Sequence, residues 1–159
     1  MNSKLSVLFL CTGNSCRSQM AEGYTRSLWG GRYEVASAGI FKHGLNPVMV
    51  QVMAEDGVDV SRQQSNTMEE LENQQPDFVI TVCDHANEVC PVFPAGVAVL
   101  HRGFDDPPIL ARLLDDDEQE LDCYRRVRDE IRVMVEGLPD LLQQSLGPGE
   151  AVTRNPDQR

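Results

Sequence analysis

Short apolar runs alternate along the chain with longer amphipathic segments, a pattern typical of α/β proteins. Four apolar runs predict β-strands: residues 5–10, 33–36, 78–83 and 97–100. Three segments with apolar residues at every third or fourth position predict helices: residues 19–29, 47–56 and about 118–138. We therefore expect an α/β fold, a single domain in three layers whose central, mostly parallel four-stranded sheet is flanked by helices.

Individual residues predict how the first two helices begin and pack. Met20, Tyr24 and Leu28 lie on one face of the first helix, which we expect to be buried. Asn46 and Pro47 have the character of an N-cap and a first helical residue, so the second helix should begin there.

The end of the chain carries two further signals. Pro139 falls inside the last helical pattern, so we expect that helix to break close to residue 137. The polar, glycine-containing residues 147–159 predict a flexible tail, which leaves residues 1–146 as the domain.

Charge and cysteine content exclude several classes of protein. With 14 basic and 25 acidic residues the net charge is −11, which argues against a protein that binds nucleic acid or an anionic membrane surface. No apolar run approaches the roughly 18 residues of a membrane-spanning helix. Five cysteines, two of them in one short loop, fit reduced, reactive thiols in the cytoplasm better than a secreted disulfide framework.

The loop after the first predicted strand contains the clearest chemical signal. Five residues separate Cys11 from Arg17, at the strand end where parallel sheets bind ligands. Gly13 and Asn14 tolerate the positive φ angles that let successive backbone N–H groups converge on one anion. An oxyanion site is therefore predicted at Thr12, Gly13, Asn14, Ser15, Cys16, Arg17 and Ser18.

The positive charge of this loop also acts on its thiols. Arg17 offers two parallel N–H donors to a tetrahedral oxyanion, and its field is expected to lower the pKa of Cys11 and make that thiol a nucleophile. Ser18 follows Arg17 and is expected to donate a hydrogen bond to the same thiolate. Cys16 is interpreted as a small buried residue that packs the loop.

Two further cysteines, Cys83 and Cys90, follow the third predicted strand. Across one regular helix their Cα atoms would lie ~10.5 Å apart, whereas a disulfide needs about 7 Å or less. If these thiols pair, the segment between them must be a loop or a helix that unwinds on oxidation, and we expect it to be mobile with two states. The alternatives are two unrelated buried thiols, or a zinc site with His85 and His101, whose spacing matches no common motif.

The motif Cys-Thr-Gly-Asn-Ser-Cys-Arg-Ser at residues 11–18 resembles the low-molecular-weight tyrosine phosphatase superfamily. Within it the chain is most similar to the thioredoxin-coupled arsenate reductases, because of Cys83, Cys90 and a Gly-Phe-Asp-Asp-Pro loop at residues 103–107. The similarity extends over residues 5 to about 136.

The resemblance implies reduction of arsenate to arsenite with no metal and no bound organic cofactor. Cys11 would attack arsenic, and Cys83 and then Cys90 would pass the oxidation on as disulfides that thioredoxin reduces. Spacing alone does not choose between Asp105 and Asp106 as the general acid, but the acid of the superfamily precedes a proline, which corresponds to Asp106.

Two departures from the superfamily pattern modify these expectations. Pro108 and Ile109 stand where tyrosine phosphatases have an aromatic residue that grips the phenyl ring, which favours a small inorganic oxyanion. The ligands of a monovalent-cation site in some members correspond to Asn14, Glu22, Ser37 and Asn66. The last of these replaces an aspartate, so cation binding is not predicted.

Two other functions stay open on the sequence. A phosphatase acting on phosphotyrosine or other small phosphomonoesters would use Cys11, Arg17 and Asp106, with Cys83 and Cys90 dispensable. A redox sensor or oxyanion-binding module without enzymatic activity would bind the anion without turnover.

Overall fold

Four strands form the central sheet of the computed structural model, which describes residues 4–71, 74–88, 90 and 92–146. The strands are β1 Leu5–Cys11, β2 Tyr33–Gly39, β3 Phe78–Thr81 and β4 Ala98–His101. They are parallel throughout and lie in the order β2–β1–β3–β4. The predicted four-stranded parallel sheet is confirmed. The predicted tail, residues 147–159, lies outside the described residues.

Helices surround this sheet, and none within the described residues is long and apolar enough to cross a membrane. The α-helices are α1 Arg17–Trp29, α2 Pro47–Glu55, α3 Asp84–Glu88, α4 Pro107–Ala111, α5 Asp117–Glu136 and α6 Leu138–Ser145. The three long predicted helices are confirmed. The sequence left the position of α3 open between a loop and a helix, and it did not predict α4. Both are about one turn long, too short to show the helical periodicity on which the prediction depends.

The predicted helix boundaries have a clear physical origin. The side chain of Asn46 accepts hydrogen bonds from the backbone N–H groups of Val48 and Met49, and Pro47 follows it in the first turn of α2. Gly137 ends α5, and Pro139 lies in the first turn of α6, so the expected break is confirmed.

Two sequence expectations about these elements are wrong in detail. Leu28 is 41% exposed, although Met20 and Tyr24 are buried. Each i+4 step on a helix advances the face by about 40°, so the third residue of this series has turned away from the core. The third strand ends at Thr81 rather than at residue 83, because the backbone leaves the sheet to begin α3 at residue 84.

The sheet register places the two strands that carry cysteines at one edge. Leu10 of β1 pairs with Thr81 of β3, and the backbone N–H of Val82 donates to the carbonyl of Leu10 over 2.9 Å. Cys11 and Cys83 therefore emerge together at the carboxyl end of the sheet.

The long helix α5 closes the fold over α1, α2 and α4. Its buried face consists of Tyr124, Val127, Ile131 and Val135. Ile131→Ala is expected to lower the free energy of unfolding by about 2–5 kcal/mol, because it leaves a cavity at a fully buried position. Denaturant unfolding of the reduced protein measures the effect.

The control is Val133→Ala on the same helix, where the side chain is 68% exposed. This change should alter the free energy of unfolding by about 0.5 kcal/mol or less. Equal losses for the two variants would contradict the assignment of the buried face.

Candidate active site

The backbone carbonyl groups of the loop between β1 and α1 accept hydrogen bonds from residues outside the loop. The acceptors and donors are Thr12 O with Phe41 N (2.9 Å), Gly13 O with His43 N (3.0 Å), Asn14 O with Gln19 Nε2 (3.0 Å) and Ser15 O with Asn46 N (2.9 Å). In a trans peptide the carbonyl and the next N–H point in opposite directions. The N–H groups that follow these four carbonyls are therefore directed to the inside of the loop, as an anion cradle requires.

Asn14 gives this loop its turn. Its φ is +48°, the only positive φ of a non-glycine residue in the described part of the chain. The buried side-chain amide donates to the hydroxyls of Ser18 (2.9 Å) and Ser37 (2.8 Å) and accepts from the backbone N–H of Asn66 (2.6 Å). The expected left-handed conformation is confirmed at Asn14.

Gly13 serves a different purpose from the one expected, because its φ is not positive. A Cβ atom at this position would collide with the ring of His43, which packs directly over the loop. Glycine is needed here for close approach, and the ring of His43 in turn stacks on Phe41 with a centroid separation of 6.1 Å. The sequence shows no periodic or motif signal for this packing.

Arg17 is buried at the first position of α1, and two contacts fix the orientation of its guanidinium group. One terminal nitrogen donates to the carbonyl of Phe104 over 2.9 Å, and the other lies 3.3 Å from a carboxylate oxygen of Asp106. Its Nε is buried and has no hydrogen-bond partner among the described residues. A buried donor without an acceptor is costly, and an oxyanion in the cradle would satisfy it.

The sulfur of Cys83 lies 3.2 Å from the hydroxyl of Thr12 in the cradle loop, and its thiol is joined to that of Cys11 by a hydrogen bond. That bond lowers the pKa of Cys83 to about 5, and hydrogen bonds from the hydroxyl of Thr12 (3.2 Å) and the N–H of Ala86 (3.3 Å) act in the same direction. The shifts of the two pKa values are opposite, so the negative charge of the pair is favoured on Cys83.

The expectation that Arg17 gives Cys11 a lowered pKa is wrong for this state. The hydrogen bond to Cys83 and burial raise the pKa of Cys11 well above its ordinary value, although Arg17 and the backbone N–H of Ser18 act in the expected direction. The hydroxyl of Ser18 accepts a hydrogen bond from Asn14. The sequence could not show this reversal, because it depends on a sulfur that lies 72 positions away.

The remaining cysteines are free thiols, like Cys11 and Cys83. Cys16 is buried, and burial raises its pKa, which fits its interpretation as a packing residue. Cys90 is partly buried, and burial raises its pKa as well. Between it and Cys83, α3 makes residues 84–88 helical while both thiols are free, and the expected second state of this segment stays a prediction.

The two candidate acids have different partners. Asp106 contacts Arg17, whereas the carboxylate of Asp105 pairs with Arg126 at 2.8 Å on the surface. Only Asp106 therefore lies beside the cradle, at the start of α4. Ile109 in that helix is an aliphatic side chain, 54% exposed, at the place where tyrosine phosphatases of the superfamily have an aromatic residue.

The candidate cation ligands form a hydrogen-bonded network with one another. The hydroxyl of Ser37 donates to Glu22 over 2.7 Å, and Glu22 also pairs with Arg26 at 2.8 Å. No group of three or more His, Cys, Asp and Glu side chains in the described ranges is placed to hold a metal ion, so the zinc alternative finds no support.

The family model of the low molecular weight phosphotyrosine protein phosphatases matches residues 6–147. The chain belongs to this family. The cradle, Cys83, Cys90 and Asp106 all lie within the matched residues of the phosphatase family, and the resemblance stated from the sequence is confirmed.

Similar proteins of this family include several arsenate reductases. That of Halalkalibacterium halodurans is 49% identical over 131 residues, which are 82% of this chain and 91% of that protein. The structure of an arsenate reductase in the reduced state matches with a TM-score of 0.66 and 31% identity, over 87% of this chain and 98% of that one. A thioredoxin-dependent arsenate reductase from Corynebacterium glutamicum has a TM-score of 0.66 and 26% identity, over 89% of this chain and 63% of that one.

Titration of thiolate absorbance tests the shared proton. In the reduced protein we expect one thiolate to form with the pKa of about 5 of Cys83, far below the ordinary value near 9. Cys11→Ala should raise the pKa of Cys83, because the hydrogen bond from Cys11 is the largest cause of its shift.

Cys123→Ala is the matched control, since Cys123 lies on α5, outside the contacts described for the thiol pair, and should leave the titration of Cys83 unchanged. A low pKa that persists in Cys11→Ala would mean that Thr12 and Ala86 are sufficient and that the proton is not shared.

Proposed function

We propose that this chain is an arsenate reductase that converts arsenate to arsenite through a relay of Cys11, Cys83 and Cys90. The observation that carries the proposal is the second thiol, Cys83, which lies against Cys11 at the base of an oxyanion cradle. Ester hydrolysis needs one nucleophile, one arginine and one acid, whereas a two-electron reduction needs a second sulfur within reach of the first. Identity of 49% to an arsenate reductase supports the same reading.

Substrate binding in this proposal uses groups that are already oriented. Arsenate is a tetrahedral oxyanion, and the inward N–H groups of residues 13–16 and the guanidinium of Arg17 would hold its oxygens. The unpartnered Nε of Arg17 gains an acceptor when the anion binds. No phenyl-binding wall is required, which agrees with the exposed Ile109.

Nucleophilic attack begins with transfer of the proton that the thiol pair shares. Cys83, as the thiolate, accepts the proton of Cys11, and the sulfur of Cys11 then bonds to arsenic. Asp106, 3.3 Å from Arg17, donates a proton to the oxygen that leaves as water.

Reduction follows from an exchange between two sulfurs. Cys83 loses its proton and attacks the sulfur of Cys11, so that a Cys11–Cys83 disulfide forms as the sulfur–arsenic bond breaks. The electron pair of that bond stays on arsenic, which goes from the +5 to the +3 state and leaves as arsenite. In the balance, the thiol of Cys11 and the thiolate of Cys83 become one disulfide, and a hydroxyl group of arsenate leaves as water with the proton of Asp106. The proton of Cys11, released from Cys83, restores that of Asp106, and the arsenite takes its further protons from solvent.

Regeneration requires the third thiol and an external reductant. Cys90 attacks Cys83, which frees Cys11 and leaves a Cys83–Cys90 disulfide. A thioredoxin would reduce this disulfide, as the name of the thioredoxin-dependent relative suggests. The chemistry uses no metal and no bound organic cofactor, and because its thiols must be kept reduced we propose that it operates in the cytoplasm.

The first experiment follows NADPH oxidation by thioredoxin and thioredoxin reductase, with and without arsenate. We expect arsenate-dependent oxidation that is lost in Cys11→Ser and Cys83→Ser. Cys90→Ser should complete about one turnover and stop, because its Cys11–Cys83 disulfide has no internal thiol to resolve it. Cys123→Ser is the control and should sustain cycling.

Hydrolysis of a chromogenic phosphate ester by the same preparations distinguishes the phosphatase alternative. Ester hydrolysis that survives in Cys83→Ser and Cys90→Ser, together with no response to arsenate under any thiol reductant, would overturn the proposal. Anion binding without turnover in either assay would instead support a binding or sensor module.

A second pair of variants tests the general acid. Asp106→Asn should slow arsenate reduction by about 10²-fold or more, because the leaving oxygen loses its proton donor. Asp105→Asn removes a carboxylate that pairs with Arg126 on the surface and should leave the rate close to that of the parent. Single-turnover rates measure both, and a loss confined to Asp105→Asn would reverse the assignment.

A further inference from the structure

The short helix α3, which directly follows Cys83, is only lightly anchored in the fold. Ala86 is its only residue that is buried. The hydrophobic effect therefore contributes little to keeping α3 in place, and an isolated helix of one turn is unstable by itself. Polar contacts at its ends must supply much of the restraint.

One such contact joins α3 to the end of β4. Asp84, the first residue of α3, lies 2.9 Å from Nε2 of His101, and Nδ1 of His101 lies 2.8 Å from the hydroxyl of Thr81. His101 is the last residue of β4 and Thr81 the last of β3, so the imidazole is fixed to the sheet. A Cβ atom at Gly103, in the loop that leads to the candidate acid, would lie 3.0 Å from both atoms of this pair, a tight contact.

The hydrogen bonds of His101 determine which of its ring nitrogens carries a proton. The carboxylate of Asp84 accepts only, so Nε2 of His101 must carry a proton. Nδ1 then accepts the hydroxyl hydrogen of Thr81 when the ring is neutral and donates to the hydroxyl oxygen when the ring is charged. The contact between Asp84 and His101 is thus compatible with both forms of the ring.

We propose that His101 is a positioning residue of the thiol relay: through Asp84 it holds α3 in the helical conformation that keeps Cys83 at Cys11 and away from Cys90. The inference rests on the relay under the proposed function. The Asp84–His101 pair acts as a latch that is closed while Cys83 and Cys90 are thiols. We infer that it opens when they join, because α3 occupies five of the six positions between the cysteines and a helical course across all of them would hold their Cα atoms ~10.5 Å apart, beyond the roughly 7 Å limit of a disulfide.

The latch has a consequence for the energetics of one balanced step. Cys83 and Cys90 form a sulfur–sulfur bond while two electrons and two protons pass to an external disulfide, which becomes a dithiol. A contact present only in the reduced protein opposes this oxidation. Removing the contact should therefore increase the equilibrium constant for formation of the Cys83–Cys90 disulfide.

The experiment measures that equilibrium constant against mixtures of dithiothreitol and its oxidised form, in full-length Cys11→Ser protein so that Cys83 has only its second partner. Alkylation and mass spectrometry quantify the Cys83–Cys90 disulfide. His101→Ala and Asp84→Ala are each expected to raise the constant by about two- to fivefold, the range for a largely exposed pair. Val99→Ala, on the same strand and half-exposed, is the control and should leave it unchanged.

The double variant distinguishes an interaction between Asp84 and His101 from independent effects of the two substitutions. If Asp84 and His101 act on each other, Asp84→Ala combined with His101→Ala should shift the constant no further than one change alone. Shifts that multiply, or no shift in either single variant, would overturn the proposal. Failure of the parent to form any Cys83–Cys90 disulfide would overturn the relay itself and the latch with it, whereas an unshifted disulfide leaves the relay standing.

Discussion

The geometry of the site depends on one residue, Asn14, held in the left-handed region of φ. A side chain in that region costs conformational energy, which is offset here by a buried amide whose hydrogen bonds to Ser18, Ser37 and Asn66 are all made. The turn at Asn14 reverses the loop so that its N–H groups converge, and α1 begins directly afterwards with its positive end at the same centre. The cradle is therefore built into the connection between β1 and α1, with no side chain other than Arg17 needed to give it charge.

A second constraint, the register between β1 and β3, turns this cradle into a redox site. Cys11 ends β1, and the neighbouring strand ends two residues before Cys83, so two thiols far apart in sequence meet under the anion. The two thiols share one proton, so each changes the pKa of the other. The hydrogen bond lowers the pKa of Cys83 and raises that of Cys11, which is the donor. An anion cradle and a second thiol thus occupy one sheet edge, and the residue that would distinguish a reductase from a phosphatase, Cys83, lies outside the loop.

Much of the fold was predictable because its signals are local. Residues 5–10 and 78–81 are continuous apolar runs, Asn46 caps a helix, and Pro139 breaks one. The loop chemistry was predictable for the same reason, since the cradle, Arg17 and the turn at Asn14 lie within one octapeptide. What the sequence could not provide was every feature that depends on distant pairing. The carbonyl that accepts a hydrogen bond from Arg17 belongs to Phe104, and the hydrogen bond that lowers the pKa of Cys83 comes from Cys11. The histidine that contacts Asp84 is seventeen positions further along the chain.

The low pKa of Cys83 gives the cradle a property that its hydrogen bonds alone would not suggest. At neutral pH the empty site already contains one negative charge, and a divalent oxyanion adds two more within the same small volume. Repulsion between these charges raises the pKa of Cys83, so part of the protein takes up a proton from solvent when the anion binds, and attack proceeds from the part that keeps the thiolate. By thermodynamic linkage, anion affinity increases as the pH falls, and the slope of that increase equals the number of protons taken up on binding. The heat released on binding phosphate will consequently depend on the ionisation enthalpy of the buffer, since each proton captured by the site is one the buffer has lost.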